Sequence, residues 1–259
     1  MMNITITGLA MGFLLILGPI CLFYKYSIDW LKQAILAFAK LVSFLFLSGI
    51  FLFYLLKWDS MFVDLVWIVL MAALSVGVTN HRARLNSERM FVPVMAGVLL
   101  STLVVGAWTV LALAGLQGLG STRYVVAIAG LLIGMMVESN AVALSAYYAG
   151  LHHHGELYKL LLSNGAGKGE ALNYFVRRAI QKGATIGLRK MSSVVLYTCP
   201  SMLYVMILCG EDAFTAVAFQ IIIMIAALAA VMLSLIITLY ISRRYLFDDY
   251  SRLRDDVRP

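Results

Sequence analysis

The sequence predicts an all-α membrane protein with seven transmembrane helices, its N-terminus outside, its C-terminus cytoplasmic, and a cytoplasmic segment between the fifth and sixth spans. Three observations lead there. Of the 259 residues, 62% are hydrophobic and 13% charged, about half the charged share of an ordinary soluble domain. Several apolar runs exceed the roughly 20 residues that cross a bilayer. The charges that remain are sorted, with basic residues gathered in alternate loops.

The spans follow in order. The first, residues 4–24, has neither a basic start nor a small-residue cleavage site and reads as a retained span. The second, residues 34–56, carries Lys40 near its inner end, where a long stem snorkels to the interface. The third, residues 61–79, holds Asp64 near its outer end, read as a solvated interfacial group. The fourth covers residues 90–114, the fifth residues 124–148, the sixth residues 191–209 and the seventh residues 213–241. With the N-terminus outside, the inner segments hold Lys25 and Lys32; Arg82, Arg84 and Arg89; seven basic residues from Lys159 to Lys190; and five from Arg243 to Arg258. Only Lys57 and Arg123 lie outside, while Asp59, Glu211 and Asp212 mark outer loops. The formal charge of +7 is therefore a record of orientation in an inner (plasma) membrane, not a nucleic-acid surface. Cys21, Cys199 and Cys209 fall in apolar segments, and an odd count there makes no disulfide framework. The chain reads as one transmembrane domain, residues 1–259, whose long interruption is the inner segment 149–190.

That segment contains "GAGKG", which raises the question of nucleotide binding. A P-loop requires G-x-x-x-x-G-K-[ST]. Here Gly167-Lys168 is followed by Gly169, and the first glycine position is Leu162. The match fails at both ends, so the glycines read as a turn between two helices, and the chain itself binds no ATP. After the turn, Ala171, Leu172, Phe175, Val176, Ala179 and Ile180 recur on one helical face; Glu170, Asn173, Arg177, Arg178, Gln181 and Lys182 take the other. The apolar face can rest on the bundle, in a partner's groove, or on the lipid surface.

The order Gly165-Ala166, four residues, Ala171, then a basic residue and a proline in the next span resembles the coupling region of ABC transporter permeases. Residues 165–220 resemble the FetB family, iron-export permeases whose plant relatives include aluminium-tolerance half-transporters. The matching positions are Gly165-Ala166, Ala171, Arg177, Pro200, Met202, Gly210, Asp212, Ala216 and Gln220, with "IAG" at 128–130; "SNA" at 139–141 stands where the family has "GNA". The first four spans match in number, length and orientation. The chain has "RKMSS" and "TCPS" where the family has a D-x-x-K-T stretch and "SLPG", so an acid is absent and a serine follows Pro200. The resemblance implies a permease homodimer with two ATP-binding subunits, which hold ATP and magnesium, and an exported metal ion or complex. Coupling to the ATPase would fall to Gly165, Ala166, Glu170, Ala171, Phe175, Arg177 and Arg178.

Within the spans, Glu138 is the one deep acid; unpaired, a charge there costs several kcal/mol. Gly130, Gly134 and Glu138 lie at four-residue steps on a small-residue face, which predicts that the acid points inward. It can bind a cation or proton, or simply hydrogen-bond a neighbouring helix. Asn140 joins it as a substrate-path candidate. Cys199, Met202, Met206 and Cys209 share one face of the sixth span; soft ligands of this kind suit Cu(I), though such residues also serve as ordinary packing. Pro200 reads as a kink. "HHHGE" at 152–156 lacks zinc-site spacing and reads as a solvated junction. No hydrolase motif is visible, which argues against catalysis in this chain. Two rivals remain: an ion-coupled secondary transporter using Glu138, and a docking protein without transport. A retinal receptor is disfavoured, since the seventh span has no lysine for a Schiff base.

Overall fold

The computed structural model describes residues 6–15, 17–25, 31–85, 87–193 and 200–246. Every regular element among them is helical: α1 (Ile6–Leu14), α2 (Leu17–Lys25), α3 (Leu31–Trp58), α4 (Met61–Ala83), α5 (Ser87–Gly118), α6 (Thr122–His153), α7 (Gly155–Ser163), α8 (Lys168–Ser192), α9 (Ser201–Leu208) and α10 (Ala213–Leu246). Backbone groups in hydrocarbon must be satisfied within the segment, which is why apolar runs of this length become helices. Hydroxyls inside the helices follow the same rule: Ser75 donates to the Ala72 carbonyl and Thr102 to that of Val98.

Five helical stretches among the described residues are long and apolar enough to cross a membrane: Lys32–Trp58, Met61–Ala83, Arg89–Gly118, Thr122–His153 and Ala213–Tyr245. They coincide with the second, third, fourth, fifth and seventh predicted spans. The first predicted span is shared between α1 and α2, with residue 16 outside the described residues. The sixth is not one helix either. α8 runs unbroken to Ser192, residues 194–199 lie outside the described residues, and α9 carries the remainder. No structural boundary marks residue 190, where the sequence reading ended the inner segment.

The packed centre is made by α4, α5, α6, α8 and α10. Its fully buried side chains include Val76, Val94, Leu132, Met136, Leu144, Tyr147, Leu172, Phe175, Leu235 and Leu239. Small residues set the approach distances. At Gly97 of α5 a Cβ would fall on the Thr238 hydroxyl of α10, and at Gly183 of α8 it would come within 2.7 Å of Leu235, 2.9 Å of Ala143 and 3.1 Å of the Ser139 carbonyl. α3 contrasts with this centre: Phe44, Leu45, Phe46 and Phe53 are all exposed, so it is apolar around much of its circumference. A helix of that kind is suited to lipid or to another helix, not to water.

Candidate functional site

The glycine turn is a helix-to-helix corner in which Gly165 and Gly167 have separate tasks. Asn164 closes α7, and Gly165 follows with φ of 86°. The Ala166 N–H donates to the Leu161 carbonyl at 3.1 Å and the Gly165 N–H to that of Leu162 at 3.0 Å. This is the paired bonding of a Schellman stop, which favours glycine at the left-handed position. Gly167 then takes the N-cap of α8, its N–H donating to the Glu170 carboxylate at 3.1 Å while its carbonyl accepts from the Ala171 N–H at 3.0 Å. Glu170 thereby places negative charge at the positive end of the helix dipole. These bonds close the corner without a phosphate, and Gly165 is the position in it whose positive φ favours glycine.

The face predicted to be apolar is buried: Ala171, Leu172 and Ala179 are fully covered, Phe175 nearly so, and Val176 and Ile180 pack against the same core. Its cover is the chain's own bundle. Phe175 lies so close to Gly150 of α6 that a Cβ there would stand 3.2 Å from the ring. Further along, Gly183 meets Ser139 and Ala143, and Lys190 reaches Glu138. The three contacts descend α6 as α8 ascends, so the two helices run antiparallel from the α7 end to the middle of α6. With 25 residues, α8 is about 37 Å long. It joins the corner mechanically to the interior. Glu170, Asn173, Tyr174, Arg177 and Arg178, on its opposite face, are exposed. In α7, Tyr158 is buried against the bundle, and burial pushes its hydroxyl above the ordinary phenol range.

Glu138 does not point into the packed centre. It is half exposed and accepts a hydrogen bond from the Lys190 ammonium at 2.6 Å, so the charge expected to need a partner finds one on α8. The inward reading failed because the face carrying Gly130 and Gly134 is unpacked, a Cβ at either glycine meeting nothing within 4 Å, and Glu138 itself opens onto a cleft. That cleft, about 330 Å³, is lined by Arg82, Glu138, Ala141, Val142, Ser145, Ala146, Ala149 and Lys182. Asn140, two residues on, lies on the buried side and donates to the Ser234 hydroxyl of α10 at 2.9 Å, leaving its own carbonyl oxygen without a partner. Glu138 and Asn140 therefore belong to different environments.

The other candidates are scattered. Met202 and Met206 are half-buried, with Met202 packed on the core; Cys209 is exposed at the end of α9; and Cys199 lies outside the described residues. Pro200 is buried at the N-cap of α9, starting a helix where a kink within one was expected. His152, His153 and His154 are exposed at the α6–α7 junction, as a solvated corner should be. Among the described residues no group of three or more His, Cys, Asp or Glu is placed to hold a metal. Asp64 departs from expectation: it is 4% exposed, and one carboxylate oxygen has no hydrogen-bond partner. The start of α6 covers it, where Thr122 also donates its N–H to Asp59 at 3.3 Å. Sequence reasoning missed Lys190 and Arg82 as site residues because it counted them only as markers of the inner side, and Lys182 because it was read simply as part of a polar helix face.

The helices thus define a polytopic membrane protein of apolar spans with a polar corner at one end. The chain belongs to the uncharacterised protein family UPF0014, which it matches over residues 6–247. It is also similar to the UPF0014 membrane protein slr1647 of Synechocystis sp., with 24% identity over 237 residues, 91% of each chain. No solved structure matches it.

Proposed function

We propose that this protein is the permease subunit of an ATP-binding cassette transporter, with seven spans, the N-terminus outside, and a close relation to the FetB-like exporters. The observation that carries the reading is the α7–α8 corner. Its apolar face is consumed by the chain's own bundle, which leaves Glu170, Tyr174, Arg177 and Arg178 as a free polar surface on a helix that continues to mid-bundle. A helix built this way can be pushed from outside and deliver the displacement to α6 and α10. In this reading two ATP-binding subunits dock on the cytoplasmic corners of a permease homodimer in the inner membrane. They supply ATP, magnesium and hydrolysis, while the permease chain catalyses nothing. The exported cargo is a metal ion or metal complex, with the region around Glu138 and the broken sixth span as its path.

The ion-coupled alternative makes Glu138 a free proton carrier, and its pairing with Lys190 counts against that. The test is reciprocal charge exchange. Glu138→Lys or Lys190→Glu alone should depress transport, and the double exchange should restore much of it; a carrier carboxylate moved to another helix would leave the double variant inactive.

A further inference from the structure

We propose that the cleft between α4, α6 and α8 is a binding site for a phosphate-bearing anion, with Arg82 and Lys182 as its ligands. Glu138 in the cleft is already balanced by Lys190, which leaves Arg82 and Lys182 as positive charges with no acid paired to either among the described residues. They come from different elements, the last turn of α4 and the middle of α8, and face the same space. The wall between them is Ala141, Val142, Ala146 and Ala149, with the Ser145 hydroxyl as a further donor. Short apolar side chains leave room for a ligand between the two charges. Arginine offers a planar fork matched to phosphate oxygens, and lysine adds a mobile point charge. Basic pockets between spans on the inner side of a membrane commonly take anionic headgroups. A cavity of about 330 Å³ accommodates a glycerophosphate-sized group with its carbon chain against the alanines.

The phosphate can belong to a membrane lipid or to a soluble ester, and the experiment separates them. The detergent-purified full chain, without any partner, is titrated with phosphatidylglycerol, phosphatidylcholine and glycerol 3-phosphate, and bound ligand is read by native mass spectrometry. The site predicts preference for phosphatidylglycerol over phosphatidylcholine. Arg82→Gln and Lys182→Gln should each weaken anion binding about fivefold, and together about 25-fold, at roughly 1 kcal/mol per charge. Lys159→Gln, at the same end but outside the cleft, should change nothing. If glycerol 3-phosphate binds with the same dependence and displaces the lipid, the site serves a soluble phosphate; if only the lipid binds, it is a headgroup site. Equal binding by wild type and the double variant, or no binding of any anion, overturns the assignment. Because the chain is tested alone, either of those results leaves the permease reading standing.

Discussion

Gly165 carries the largest conformational demand at the corner. Its φ of 86° lies in the left-handed region, and open space surrounds the position a Cβ would occupy. The penalty of a side chain there is therefore backbone strain, about 1–2 kcal/mol, not a clash. Gly165→Val should leave the protein inserted and the bundle folded but loosen the corner, seen as reduced transport-linked ATPase with Tm lowered by only about a few degrees. Gly183 is the opposite case. A methyl group there meets side chains of α6 and α10 and a backbone oxygen together, so Gly183→Ala should destabilise the bundle by about 1–3 kcal/mol and lower Tm measurably in detergent. Both glycines were visible in the sequence, but only the first as a turn. The second lies in the inner segment one residue beyond the last position read as helical, and its role depends on two helices 40 and 52 residues away in sequence.

At the scale of the element, α8 in the proposed transporter separates stability from docking. Phe175→Ala removes a nearly fully buried ring and should cost about 3–5 kcal/mol, detected as loss of folded material. Arg177→Glu with Arg178→Glu changes only exposed side chains and should leave the folding free energy within about 0.5 kcal/mol of wild type while releasing the ATP-binding partner that the proposed transporter requires. The faces of this helix were legible because a 3.6-residue period needs nothing but adjacent sequence. Its extent was not. Arg189 and Lys190 looked like the end of a cytoplasmic segment, since charge normally marks an interface. Here α8 runs on along α6 past Lys190, where half-exposed Glu138 pairs with it, and that pairing is invisible to hydropathy. Asp64 was misread for a similar reason: its burial comes from the start of α6, not from its own helix. Five of the expected spans recur as helices long and apolar enough to cross a membrane, because each satisfies the length criterion by itself.

On the scale of the whole molecule, the loosely attached α1–α3 region and the compact group of α4, α5, α6, α8 and α10 suggest a division of labour. In the proposed transporter the compact group moves as the coupled unit, and the exposed apolar α3 faces lipid or the second permease chain. The corner, α8 and the Glu138–Lys190 pair make a continuous route from a polar docking face to the middle of the bundle, which is the central claim. Its most direct test is ATPase activity of the tagged protein purified gently from native membranes, with copurifying chains identified by mass. The account predicts a stoichiometric P-loop subunit whose ATPase falls in the Gly165→Val protein. Absence of any such subunit after mild crosslinking, or ATPase unaffected by the altered corner, would contradict it.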